Sequence, residues 1–92
     1  PKPELEIEIL TSETGIAPEL AGQLVNLASG LRALKDQDLE EAASTRLLVY
    51  AATLIRGGLA VREACLAALV EPLSDDSETL QALMEVVDAH LA

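Results

Sequence analysis

Arg46 is the residue whose placement most invites chemistry. It stands two positions after Ser44, a good helix N-cap, and so falls inside the first turn of the helix that follows. A cation there opposes the helix macrodipole and costs about 0.3–1 kcal/mol, where Asp or Glu would be favoured. Two readings account for it. One is an ion pair with Glu40 or Glu41 just upstream, as is common on protein surfaces. The other is an anion such as a phosphate, because a helix N-terminus offers free N–H groups and an arginine beside them adds a permanently charged, two-pronged donor. The residues alone leave both open.

The remaining candidates are weaker. Cys65 is the only cysteine and falls on the apolar face of a helical segment, where a thiol behaves as a small buried hydrophobe. His90 is the only histidine and lies near the end of the last helix, where imidazolium suits the dipole; no second His or Cys lies near it to complete a metal site. Glu4, Glu6 and Glu8, and the pair Asp75–Asp76, do not match the ligand spacing of a calcium loop and read as solvated charge and helix capping. There is no GxxxxGK[ST] loop, GxGxxG, HExxH or CxxC pair, so the chain carries no complete catalytic site of its own and no metal site is expected.

The elements that must position Arg46 read as helices throughout. Pro3 followed by Glu4, Glu6 and Glu8 opens a first helix, with Gly15 as its left-handed C-cap. The alternation Leu5-Glu6-Ile7-Glu8-Ile9 would also suit a strand, but nothing else in the chain offers it a partner. A second helix starts at Pro18 and carries Leu20, Leu24, Leu27, Leu31 and Leu34, with Ala21 and Ala28, on one face; Lys35 sits near its negative end. Residues 36–41 read as a polar loop. A third helix is capped by Ser44, turns Leu47, Leu48, Ala51, Leu54 and Ile55 inward, and stops at Gly57–Gly58. A fourth runs from about Val61 to Val70 with Ala64, Cys65, Ala68 and Leu69 on one face, and Pro72 ends it. After the turn 73–77, in which Asp75 and Glu78 have capping-box-like spacing, a last helix faces Leu80, Leu83, Met84, Val87 and Leu91 inward. The fold class is all-α: one domain, 1–92, forming a compact bundle of about five short helices.

Composition agrees. Half of the 92 residues are apolar, yet there is no Phe or Trp and one Tyr, so the core must be built from Leu, Ile, Val and Ala, a mixture that suits helix-on-helix packing. The net charge of −10 argues against a nucleic-acid partner, and the six basic residues are scattered. No run is long enough to cross a membrane. A single cysteine fits a reducing, cytoplasmic compartment. The chain opens on Pro1 rather than Met and reads as a piece of a longer protein.

The segment Glu40-Glu41-Ala42-Ala43-Ser44-Thr45-Arg46-Leu47-Leu48-Val49-Tyr50-Ala51-Ala52 resembles the start of the sensor-2 helix in the CbbQ/NirQ/NorQ branch of the MoxR group of AAA+ ATPases. Three further pieces agree in order: Glu6-Ile7-Glu8-Ile9-Leu10, Leu31-Arg32-Ala33-Leu34-Lys35, and Ala67-Ala68-Leu69-Val70-Glu71-Pro72-Leu73-Ser74-Asp75-Asp76. The resemblance spans almost the whole chain. It implies the C-terminal helical lid of an ATPase whose α/β nucleotide-binding core is absent here, with Arg46 the sensor-2 arginine reaching the γ-phosphate of ATP, Ser44 the helix cap that supports the site, and Thr45 a supporting neighbour. ATP and Mg²⁺ would then be cofactors of the parent ATPase, and the fragment alone would have none and no activity. Ala42 departs from the glycine expected in many relatives and puts the approach to the helix in question, not Arg46. The implied partners are the N-terminal ATPase core, neighbouring subunits of a ring (usually a hexamer), an adaptor with a von Willebrand factor A domain, and a client enzyme that the motor remodels as a chaperone. That client would be Rubisco (Rubisco activation) or the nitric oxide and nitrite reductases of denitrification; nothing in these residues names it, and Rubisco is taken first. The competing reading is a free-standing helical interaction module that binds no nucleotide.

Overall fold

The computed structural model describes residues 2–34, 37–70 and 77–91, and its first two helices begin where proline allows. Helix α1 (Pro3–Thr14) and helix α2 (Pro18–Ala33) each carry Pro in the first turn, where its fixed φ suits a helix and its missing N–H leaves no bond unmade. α1 closes at Gly15, whose φ of 76° lies in the left-handed region and whose N–H donates to the Thr11 carbonyl at 3.0 Å. The strand-like alternation of residues 5–9 is therefore overridden: α1 buries Glu6 and Leu10, one helical turn apart, with Ile7 partly buried beside them.

α2 is the spine. It buries Ala21, Leu24, Val25, Leu27, Ala28 and Leu31 and packs against α1 and the helices that follow. Leu34 departs from the expected stripe: α2 stops at Ala33 and Leu34 is 50% exposed. The expected polar loop at 36–41 is instead mostly a short helix, α3 (Gln37–Ala42). Its anchor is Leu39, 2% exposed, whose carbonyl accepts from the N–H of the equally buried Ala43 at 3.0 Å. Ala42 is the last residue of this helix. Lys35 and Asp36 lie outside the described residues.

Helix α4 (Thr45–Arg56) buries Leu48, Ala51 and Ala52 against α1 and α2. It stops at the two glycines: Leu59 N–H donates to Leu54 O at 3.1 Å and Gly58 N–H to Ile55 O at 3.0 Å, a paired closure made possible by the φ of 115° at Gly58. Leu47 and Ile55 are partly buried and pack on the core, whereas Leu54, expected inside, is partly buried and stands outside that cluster. The segment expected as one regular helix from Val61 begins as α5 (Val61–Cys65) and widens into a π-turn over Leu66–Val70, which carries one extra residue per turn while keeping Ala68 inside. Burial pushes the Cys65 thiol up to about 11, so it stays protonated at neutral pH. The last helix, α6 (Ser77–Leu91), buries Leu83 and Val87, with Leu80 and Met84 half-buried. Its His90 ring lies over Gly30 of α2 so closely that a Cβ at residue 30 would come within 2.8 Å of the ring. His90 Nδ1 is 2.9 Å from the Val86 carbonyl, which can only accept, so that nitrogen carries the proton. Pro72, Leu73, Asp75 and Asp76 lie outside the described residues, as do the side chains of Leu69 and Leu91.

One expectation is overturned outright. Glu6, read from the sequence as solvated charge, is 1% exposed and forms a two-pronged pair with Arg32 of α2, at 2.6 Å (Nη1 to Oε1) and 2.9 Å (Nη2 to Oε2). Its partner stands 26 residues away in sequence, beyond the reach of any local pattern. The Arg32 hydrogen bonds hold the Glu6 carboxyl below the ordinary glutamate range despite the opposing effect of burial. The second ion pair among the described residues, Arg62 with Asp88 at 2.9 Å, has both side chains about half exposed and contributes about 0–1 kcal/mol.

Two outcomes follow from this packing. Leu27→Ala should destabilise the fold by about 2–5 kcal/mol, and Leu54→Ala, whose side chain keeps part of its water, by about 1–2 kcal/mol; denaturant melts check the order, and equal losses would contradict it. Glu6→Gln should cost about 2–3 kcal/mol at neutral pH, below the usual figure for breaking a buried pair because Arg32 is 31% exposed. A lowered carboxyl contributes stability that is complete above its unfolded value and is lost as the pH falls through the folded one. The gap between wild type and Glu6→Gln should therefore begin to close below about pH 4.3, and a gap that stays constant down to pH 2 in urea melts would contradict the assignment.

Candidate functional site

The start of α4 is where the sequence concentrates its one electrostatic anomaly, and the structure builds that start with care. Ser44 adopts an extended conformation (φ −64°, ψ 149°) and its Oγ accepts from the Leu47 N–H at 3.3 Å, while its carbonyl takes the Leu48 N–H at 3.0 Å. The residues on either side of this cap are tied to the buried pair. Arg32 Nη2, already bound to Glu6, also donates to the Ala43 carbonyl at 2.7 Å. Thr45 Oγ1 donates to Glu6 Oε2 at 3.1 Å. Glu6, Arg32, Ala43 and Thr45 thus form one partly buried network joining α1, α2 and the junction between α3 and α4.

Arg46 follows directly and is exposed. Among the described residues no carboxylate lies within 4.0 Å of its guanidinium, so the structure does not pair it with Glu40 or Glu41, both of which are also exposed. Nor do the N–H groups of Thr45 and Arg46 find an acceptor among the described residues, as expected for the first positions of a helix. α4 has no acidic residue in its first turn. Among the described residues, this end of the helix therefore presents two open N–H donors, the positive end of the dipole and a guanidinium without a carboxylate partner. Tyr50, one turn further along α4 and half exposed, continues the same open face.

The other sequence candidates do not join this end. Cys65 is buried in α5, and His90 packs over Gly30 on α6. Among the described residues no group of three or more His, Cys, Asp or Glu side chains could hold a metal ion, and the described surface forms no pocket. Among the described residues no helix is long and apolar enough to cross a membrane. What the sequence did not reveal is the support: Glu6, Arg32 and the hydroxyl of Thr45. A trace of Glu6 was available, since it falls four residues before Leu10 on the buried stripe of α1.

Residues 6–90 match the family model for the CbbQ/NirQ/NorQ C-terminal region. The chain is 54% identical over its full length to the denitrification regulatory protein NirQ of Pseudomonas aeruginosa, covering 35% of that protein. It is 46% identical over 97% of its length to protein NorQ of Paracoccus denitrificans (33% of that protein), and 46% identical over 90% of its length to protein CbbQ of Hydrogenophilus thermoluteolus (31%). It spans about a third of the length of the curated relatives it matches. The chain belongs to the CbbQ/NirQ/NorQ family and corresponds to its C-terminal domain.

Proposed function

We propose that the chain is the C-terminal lid of a MoxR-type AAA+ ATPase, and that Arg46 is its sensor-2 arginine, contacting a phosphate of ATP bound mainly by an α/β core elsewhere in the longer protein. The observation that carries this reading is the exposed Arg46 in the first turn of α4, without a carboxylate partner among the described residues and beside two open N–H donors. A cation in that turn is disfavoured by the dipole in the free chain, and an anion bound there would reverse the sign of that effect. The residues fit a phosphate. They do not fit Mg²⁺, since the described part of the chain offers no cluster of carboxylates, so the metal would be held by the core. With no pocket among the described residues, the base and sugar would also be held elsewhere.

In this reading Arg46 senses the phosphate state, and the bundle, moving as a unit, carries that information to the core and to neighbouring subunits of a ring. The client and the von Willebrand factor A adaptor belong to the same proposal. Identity to two NirQ proteins, at 54% and 52%, is higher than the 46% to NorQ and to CbbQ, which supports a denitrification enzyme as client ahead of Rubisco.

The test is ATP hydrolysis by the full-length protein, wild type against Arg46→Ala, with nucleotide affinity measured alongside. Turnover should fall about a hundredfold or more with the fold intact, as when one donor to developing charge is removed, and the fragment 1–92 alone should hydrolyse nothing. Unchanged turnover and affinity would make Arg46 an ordinary surface residue and favour a helical docking module without nucleotide.

A further inference from the structure

The resting place of the Thr45 hydroxyl is not explained by the needs of its own helix. Ser44 already caps α4, and threonine is a mediocre helix former, so nothing local asks for it at this position. Its hydroxyl instead reaches a carboxylate 39 residues earlier in the chain, on a different helix. That carboxylate is 1% exposed and locked two-pronged by Arg32, which makes it about as fixed a point as this fold contains. Arg32 simultaneously grips the carbonyl of Ala43 at 2.7 Å. The backbone is therefore held at residue 43 and at residue 45, on either side of the cap, immediately before the exposed arginine.

The pair Glu6–Arg32 would join α1 to α2 without either extra contact. What Ala43 and Thr45 add is a rigid link from that pair to the helix start that bears Arg46, a cation with no carboxylate partner among the described residues. A long guanidinium arm is useful against a phosphate only if its Cα and Cα–Cβ direction are set, and a misplacement of about 1 Å is enough to cost a large part of a catalytic contact.

We infer that Thr45 is a positioning residue for Arg46, and that the buried Glu6–Arg32 pair acts through its hydroxyl to fix the arginine's approach to the nucleotide. The inference rests on the reading of Arg46 as a phosphate contact and adds to it the residues that aim the contact.

A double-mutant cycle in the full-length protein tests it: wild type, Thr45→Val, Arg46→Ala and the double variant, each assayed for ATP hydrolysis under single-turnover conditions so that low rates remain measurable. Thr45→Val replaces the hydroxyl by a methyl of similar shape. It should lower the rate about tenfold in the wild-type background and change it less than about twofold in the Arg46→Ala background, because what it positions is gone. Thr45→Ser, which keeps the hydroxyl, should recover most of the loss. An equal fall in both backgrounds, or none in the wild type, overturns the positioning role while leaving Arg46 as a phosphate contact. An Arg46→Ala rate equal to wild type overturns the nucleotide reading itself, and the inference with it. Should Thr45→Val not fold, Thr45→Ala carries the same cycle; if neither folds, the hydroxyl serves the fold as a whole and the positioning role is overturned.

Discussion

A carboxylate taken out of water must find its compensation within hydrogen-bond distance, and that requirement organises this molecule around Glu6. Its oxygens receive both prongs of Arg32 and the hydroxyl of Thr45. No buried side-chain polar atom among the described residues is left without a partner. An apolar side chain in its place could pack against many neighbours in many ways. A charge with three directed donors accepts one arrangement of α1, α2 and the α3–α4 junction, and so trades some stability for definition.

The rest of the interior could not supply that definition alone. It is made of Leu, Val, Ile and Ala with the single Cys65, the small residues Ala21, Ala28, Ala51 and Ala52 letting helices approach and the leucines filling between them. Such a core is well suited to burying surface but has few features that distinguish one helix register from the next. The aliphatic core and the directed network thus divide the labour: the core holds the helices together, and the network fixes where the start of α4 points. In a chain with a formal charge of −10, this also matters electrostatically. The basic group at that end has no carboxylate within 4.0 Å among the described residues.

The boundaries of helices were legible wherever the chemistry is local. Pro3, Pro18, Gly15, Ser44 and the glycines at 57–58 act on their own immediate backbone, and each does so in the structure. α3 escaped because it is six residues long with one apolar anchor, Leu39, so it has no period to read and is held by tertiary burial. The π-turn escaped because an i→i+5 winding leaves nearly the same apolar spacing as a regular helix over so short a span. Arg46 was legible as an anomaly because it violates a local rule. The group that supports it was not, since Glu6, Arg32 and Thr45 belong to three helices and only folding brings them together.

The contact of His90 with Gly30 has a consequence for how α6 can sit on α2. The imidazole lies in space that a Cβ at residue 30 would enter, so glycine there lets the ring rest directly on the α2 backbone. Because the exposed imidazole is the tip of a flexible side chain, a residue larger than glycine at position 30 would displace the ring rather than the helix.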